Sequence, residues 1–122
     1  MRNIVLGSTE KFMKEISLEE AKAALRKGLL EYCILLIIGR GKVYATDILK
    51  ELKAADLIVV EGTLYPLLTR LKTQKILDYT WEESKAGPPR KYYVLTAKGK
   101  DYLTQLKATW KSLLTSIETL QH

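Results

Sequence analysis

The end of the chain carries the pattern that most constrains its fold. Six large apolar residues between Leu103 and Leu120 follow one another at intervals of 3, 4, 3, 4 and 3 residues. This heptad spacing predicts one long helix with a continuous apolar seam. The seam is formed by Leu103, Leu106, Trp110, Leu113, Ile117 and Leu120. A small chain leaves little other surface to cover it, so we predict a homodimer joined along this seam; the alternative is packing on the first helix of the same chain.

Two helices are predicted in the first half of the chain. Ser17 stands three residues before Glu20, which is the spacing of a capping box, and a helix over 18–38 should follow. The second half of this helix is apolar nearly all round and should be buried, with Cys33 as a packing residue. Another helix is predicted over 45–54.

A leucine stripe at helical spacing predicts a third helix that begins between residues 61 and 63. Its buried positions should be Leu64, Leu67, Leu68 and Leu71. Pro66 falls within the first turn or two of this helix, where a missing amide hydrogen costs little, so it is expected to mark the helix start. The outward face of the helix carries Thr63, Tyr65, Pro66, Thr69, Arg70 and Thr73.

Two stretches rich in β-branched and aromatic residues, ILDYTW and RKYYVLT, follow the third helix. The segment 82–89 between them contains one glycine and two prolines and should form the turn of an antiparallel hairpin. Alternation places Tyr93 and Leu95 on the core face of the hairpin, and Trp81 is expected to belong to the scaffold. The other face carries Arg90, Tyr92 and Val94.

The element order and the charge distribution point to one architecture. Lysine and arginine number 20 against 14 for aspartate and glutamate, a net charge of +6, and residues 61–100 hold eight basic and four acidic side chains. Three helices followed by a basic hairpin are typical of a winged helix-turn-helix, in which the third helix enters the major groove of DNA.

We therefore predict a mainly α fold with a small β-hairpin wing (α+β). Residues 17–96 should form the winged helix-turn-helix domain, and residues 97–122 a long C-terminal dimerisation helix that Thr96 can cap. Residues 1–16 carry weak signals and are taken as an N-terminal extension with room for one short helix.

The composition argues against several other classes. The only histidine is the terminal His122 and the only cysteine is Cys33, so neither catalysis nor a metal site is predicted. Glycine patterns for phosphate or dinucleotide binding are absent from the sequence, and no cofactor is expected. The most apolar run, 29–38, is about half as long as a bilayer requires. We expect a cytoplasmic protein without a membrane partner.

Two stretches of the sequence resemble the signature stretches of the PadR family of bacterial transcriptional regulators. They are GTLYPLLTRL, from Gly62, and GPPRKYYVLT, from Gly87. The segment RKGLLEYCILLII and the heptad helix are similar to that family too, so the resemblance spans roughly residues 21–120. It implies a dimeric repressor whose third helix reads operator DNA. Lys75 departs from the family pattern, because relatives often carry a helix-ending glycine at this place. The stretch VYATDIL also lacks the tyrosine-glycine-tyrosine style of start that is common for the second helix.

The resemblance implies DNA contacts from the third helix and the wing. Tyr65 should stack on the sugar-phosphate backbone or donate its hydroxyl to a phosphate. Arg70 is expected to bind a base or a phosphate through two hydrogen bonds; the alternative is an ion pair with a nearby carboxylate. The other expected contacts are Thr63, Pro66, Thr69 and Thr73 on the helix and Lys85, Arg90, Lys91 and Tyr92 on the wing.

Trp110 has two interpretations. In multidrug-responsive members of the family, a tryptophan at the matching place stacks on flat ligands between the subunits, which implies a planar aromatic ligand here. The alternative is a tryptophan packed in the interface. The predicted function is a sequence-specific DNA-binding repressor that acts as a homodimer on an inverted-repeat operator and is released by a small aromatic ligand. The rival prediction is a winged-helix protein-interaction module that does not bind DNA.

Overall fold

The computed structural model describes residues 17–122; the predicted N-terminal extension lies outside the described residues. The elements in chain order are α1 (Leu18–Ile38), β1 (Val43–Tyr44), α2 (Ala45–Ala54), α3 (Glu61–Thr73), β2 (Leu77–Ser84), β3 (Gly87–Leu95) and α4 (Ala97–Leu120). Helices with a small antiparallel sheet confirm the predicted fold class, and the bounds of α1 and α2 are those predicted.

The caps of α1 and α4 explain where these helices begin. The Ser17 hydroxyl accepts a hydrogen bond from the Glu20 amide at 3.1 Å, and the Glu20 carboxylate accepts one from the Ser17 amide at 3.0 Å. This is the reciprocal capping box that the sequence predicted. At α4, the Thr96 hydroxyl accepts from the Gly99 amide at 2.9 Å. The same hydroxyl lies 2.6 Å from the Lys75 carbonyl, so it also ties α4 to the end of α3.

Pro66 lies within the first two turns of α3, as predicted. The helix begins at Glu61, which places Pro66 in its second turn. A proline there lacks the amide hydrogen that would bond to the carbonyl of Gly62. Both residues are exposed, so water can satisfy this carbonyl, and α3 continues to Thr73.

The end of α3 turns without a glycine. Lys75 has φ 64°, in the left-handed region that favours glycine. The Lys75 amide donates to the Lys72 carbonyl and the Ile76 amide donates to the Leu71 carbonyl, both at 2.9 Å. This pair of bonds is a Schellman motif, and buried Ile76 supplies its apolar contact. These bonds hold Lys75 in a strained conformation.

The sheet has three strands in the order β1-β3-β2, all antiparallel. The hairpin was predicted, but β1 was not, because a two-residue strand has no visible alternation. The predicted turn over 82–89 is wrong: the strands run to Ser84 and resume at Gly87. The pairing shifts between Glu82 and Ser84, and the two prolines of β3 lie opposite this irregularity, where no amide donor is required.

One apolar core joins the helices to the sheet. The leucine stripe of α3 is buried at Leu64, Leu68 and Leu71, whereas Leu67 is only half-buried. Cys33 is also half-buried, and burial raises the pKa of its thiol. The buried residues are Ile34, Leu35, Ile37, Ile38, Ala45, Ile48, Leu52, Leu64, Leu68, Leu71, Ile76, Leu77, Tyr93 and Leu103.

The heptad seam of α4 divides into two parts. Leu103 belongs to the core of its own chain and is 6% exposed, so it is not available to a partner as predicted. It packs against Gly39 at the end of α1. Farther along, Leu106 and Trp110 are half-buried. The last positions are open: Leu113 is 48% exposed, Ile117 51% and Leu120 85%. Within the part of the chain that the structure describes, no helix is long and apolar enough to cross a membrane.

Candidate nucleic-acid interface

The predicted contact residues of α3 lie on two different edges of the helix. Tyr65, Thr69 and Thr73 are exposed and follow one another at intervals of four residues, so they form one row. Tyr65 lines a cleft between α3 and the wing. The other three residues, Thr63, Pro66 and Arg70, line a cavity on the side of α1. Tyr65, at the start of this row, is therefore the residue of α3 that adjoins the wing.

Arg70 is engaged by a carboxylate of α1. One of its guanidinium nitrogens, Nη2, lies 2.6 Å from Oε1 of Glu31. The other carboxylate oxygen of Glu31 accepts a hydrogen bond from the Tyr102 hydroxyl at 2.7 Å. This bond, with burial, raises the pKa of Tyr102. The ion pair considered as the alternative role of Arg70 is thus present, and Glu31 joins α1, α3 and α4.

The cleft lies between the wing, α2 and Tyr65 of α3, and it has a volume of about 690 Å³. Its walls carry Tyr65 of α3, Lys50 of α2 and Arg90 and Lys91 of the wing. Trp81 lines the cleft as well and is 61% exposed, so it is not the packed scaffold residue that was expected. The cleft combines cationic groups with aromatic surface, which suits a backbone of phosphates and sugars.

The remaining wing residues take different positions. Lys85 lies exposed in the turn between β2 and β3. Tyr92 stacks on Tyr44 with ring centroids 4.0 Å apart, and its hydroxyl donates to that of Tyr44 at 2.5 Å. This hydrogen bond, with burial, raises the pKa of Tyr92 to about 12. The guanidinium of Arg90 lies 4.6 Å from the Tyr44 ring. Tyr92 thus links β3 to β1 and stiffens the base of the wing.

A second cavity, of about 710 Å³, lies between α1, α3 and α4. Trp110 lines it and stacks on Tyr32 of α1, with ring centroids 5.6 Å apart and planes 16° from parallel. Glu31 and Arg70 form its polar side, and Leu106 is part of its apolar wall. The residues of this cavity that the sequence did not single out include Glu31 and Tyr32 of α1, because the apolar pattern of this helix does not reveal which side faces α4.

Metal ligation finds no support in the described residues: no cluster of three histidine, cysteine or carboxylate side chains within 17–122 could hold an ion. The two cavities are lined by charged side chains, hydroxyl groups and aromatic rings. Such groups bind and orient a partner through charge and stacking.

Comparison with known proteins agrees with this geometry. Residues 34–105 match the family model described as the transcriptional regulator PadR-like family. A PadR-like transcription factor from Bacteroides fragilis is 55% identical, with a TM-score of 0.70 over 82% of this chain and 97% of that one.

Two further solved structures are similar. A PadR-like transcriptional regulator from Bacillus cereus is 38% identical, with a TM-score of 0.73 over 81% of this chain and 97% of its own. A PadR family transcriptional regulator from Eggerthella lenta is 30% identical, with a TM-score of 0.77 over 86% and 92%. These relatives are regulators and not enzymes, as predicted. The chain belongs to the PadR-like family of transcriptional regulators and is a DNA-binding regulator.

Proposed function

We propose that this regulator is a homodimeric repressor that binds an inverted-repeat operator through α3 and the wing. The observation that carries the proposal is the exposed row Tyr65, Thr69 and Thr73, whose first residue shares a cleft with the cationic side chains of the wing. In winged helix-turn-helix proteins this edge of the third helix enters the major groove. A bacterial repressor of this kind works on DNA in the cytoplasm, and that is the location we propose.

Within this interface the residues take separate roles. Thr69 and Thr73 are small and exposed at the middle and end of α3, so they are the proposed base contacts, and Tyr65 is a proposed backbone contact. Lys85, Arg90 and Lys91 would lie along phosphates, with Tyr92 holding the wing in place. Thr63 and Pro66 lie toward α1 and would contact only the flanking backbone. Arg70 can reach DNA only by leaving Glu31.

The proposed dimer interface is the open part of α4 together with α1. Leu113, Leu114 and Ile117 are each about half exposed, and Leu25 of α1 is 69% exposed. A row of large apolar side chains along a helix costs free energy in water until another surface covers it. A second copy supplies the same row, so that two α4 helices can pack together with Leu120 at the end.

A ligand site is proposed at Trp110. The indole already stacks on Tyr32, and the adjoining cavity of about 710 Å³ is large enough for a planar aromatic molecule. Glu31 lies in the same cavity and holds Arg70 of α3. A ligand that fills this cavity would shift α3 relative to α4 and lower operator affinity, and the operator would lower ligand affinity by the same factor.

Selection from a random pool of duplexes, followed by footprinting of the selected sequence, tests the proposal. We expect an inverted repeat whose half-sites are separated by about one helical turn, roughly 34 Å. Affinity should fall steeply with salt, because bound phosphates release counterions. A winged helix that only binds proteins would select no sequence and would bind duplexes weakly at any salt concentration, which would refute the proposal.

A further inference from the structure

The ammonium group of Lys91 is held by aromatic rings on the cleft face of the wing. Its Nζ lies 4.2 Å from the ring centroid of Tyr79, 5.3 Å from Trp81 and 6.0 Å from Tyr93. Trp81 is its direct cross-strand partner, so the hairpin register fixes this arrangement. Among residues 17–122, Lys91 forms no ion pair with a carboxylate. A half-buried cation is therefore positioned without a compensating anion.

The surroundings of Lys91 leave its charge available. Asp47 is the carboxylate that lines the same cleft, and it faces the N-terminus of α2, 3.4 Å from the Tyr44 amide. Two carboxylates follow Trp81 in β2: Glu82 forms an ion pair with Lys42, and Glu83 neither lines the cleft nor forms an ion pair with Lys91. Because adjacent residues of a strand point to opposite faces, Glu82 lies on the face away from Trp81. The cleft therefore keeps a positive balance next to Lys91.

Trp81 and Tyr65 both line the cleft, one from the wing and the other from α3. Trp81 on β2 is 61% exposed and Tyr65 on α3 is 40% exposed. An exposed indole next to a fixed ammonium offers an apolar plane, an N–H donor and a cation at one place. A phosphate with its deoxyribose has the matching features: an anion, acceptor oxygens and an apolar sugar edge.

We propose that Trp81 and Lys91 form a binding site for one phosphate and the adjacent deoxyribose of duplex DNA, on the strand that passes between α3 and the wing. The proposal rests on DNA binding by the family and adds a residue, Trp81, that the sequence assigned to the scaffold. The Lys91 ammonium pairs with the phosphate and the Trp81 ring packs on the sugar. The rings hold the cation before DNA arrives, so little side-chain entropy is lost on binding. The contact is sequence-independent and acts on operator and random DNA alike.

Fluorescence tests the contact directly. Trp81 and Trp110 are the two tryptophans of the chain, so Trp110→Phe leaves Trp81 as the single reporter. After sedimentation and binding assays establish that this variant is folded and binds duplex, its emission is measured with and without operator. We expect Trp81 emission to change on binding and quenching by iodide to fall. Unchanged emission and quenching in a saturated complex would overturn the proposal.

Phosphate ethylation interference locates the contact. In the wild type, ethylation of one phosphate per half-site should reduce binding, because Lys91 can no longer pair with that phosphate. In Lys91→Met and Trp81→Ala that sensitivity should disappear, while the other sensitive phosphates remain.

Affinity measurements give the size of the effect. Lys91→Met should weaken binding to operator and to random duplex about tenfold each, and Trp81→Ala about fivefold. Lys111→Met removes the same charge from an exposed position of α4 that does not line the cleft, and should change affinity less than about twofold.

A conservative variant separates contact from folding. Trp81→Phe keeps an aromatic plane and should retain most of the affinity, and Lys91→Met carries the test alone if Trp81→Ala unfolds. If Lys91→Met, and Trp81→Ala where it folds, bind as the wild type does and every ethylation-sensitive phosphate remains, the site is wrong although DNA binding stands. A wild-type protein that binds no duplex would overturn both this site and the proposed function.

Discussion

The guanidinium of Arg70 lies 2.6 Å from a carboxylate oxygen of Glu31, so the third helix is tied to the first by an ion pair. The Glu31 carboxylate also accepts a hydrogen bond from Tyr102 of α4. One acidic side chain thus connects the helix proposed to enter DNA with both helices proposed to form the dimer.

We predict that Arg70→Met leaves the base preference of the operator unchanged, because this side chain is engaged by Glu31 and not by a base. Affinity should fall less than about threefold, whereas loss of a base contact would cost about 1–3 kcal/mol at one position. Binding to operators substituted at each position measures this. The combined Glu31→Gln and Arg70→Met variants should show a coupling energy of about 0.2–1 kcal/mol in unfolding, since the pair is partly exposed. Relaxed preference at one base pair would instead assign Arg70 to DNA.

Charges placed on the open part of α4 should prevent dimer formation. Leu113→Glu with Ile117→Glu puts two carboxylates where an apolar interface would bury them, at a cost of several kcal/mol. Sedimentation should show a monomer with unchanged helix content. Lys111→Glu, on the same helix outside the seam, is the matched control. A double variant that sediments like the wild type would place the interface elsewhere.

Replacing Lys75 by glycine should stabilise the fold. Lys75 holds a left-handed φ of 64°, which glycine adopts without a steric cost, so Lys75→Gly should raise the free energy of unfolding by about 1 kcal/mol. Denaturant unfolding measures the change. Gln74→Gly is the control, because φ is −78° there and glycine should destabilise the helix end. Equal destabilisation by both variants would show that Lys75 is not strained.

The hydroxyl pair Tyr44–Tyr92 predicts a specific response to alkali. The pKa of Tyr92 is raised to about 12, so its neutral form is favoured in the folded state. The stabilising effect is complete below about pH 10, where a free tyrosine is neutral, and is lost as the pH rises toward 12. Absorbance titration should show a late step near pH 12 that loses one tyrosine in Tyr92→Phe. In Tyr44→Phe, which removes the acceptor, Tyr92 should titrate at lower pH. A wild-type curve without this late step would contradict the geometry.

The elements of this fold could be predicted because local patterns specify them. Ser17 and Glu20 define the start of α1, and the leucines of α3 mark its buried side. Contacts between residues that are far apart in the sequence are not visible in any local pattern. The pairing of β1 with β3 and the ion pair between Glu31 and Arg70, 39 positions apart, depend on how the elements pack.

The candidate interface was predictable only as a set of residue types. A helical face of about half the circumference contains Thr63, Tyr65, Thr69 and Arg70 together, and only the packing of α1 and the wing divides it into two edges. The heptad seam of α4 was likewise only partly predictable. Its spacing does not reveal that Leu103 is already buried in the core of its own chain.

The central claim is that α3 and the wing bind duplex DNA through the edge that carries Tyr65 and Thr69. The most direct measurement is the affinity of Thr69→Ala, Tyr65→Ala and the wild type for the selected operator and for random duplex, over a series of salt concentrations. Thr69→Ala should weaken operator binding about fivefold or more and leave random duplex unaffected, as expected for a base contact. Tyr65→Ala should weaken both duplexes alike, as expected for a backbone contact. If both variants bind operator and random duplex as tightly as the wild type at every salt concentration, this edge of α3 does not enter DNA and the account is wrong.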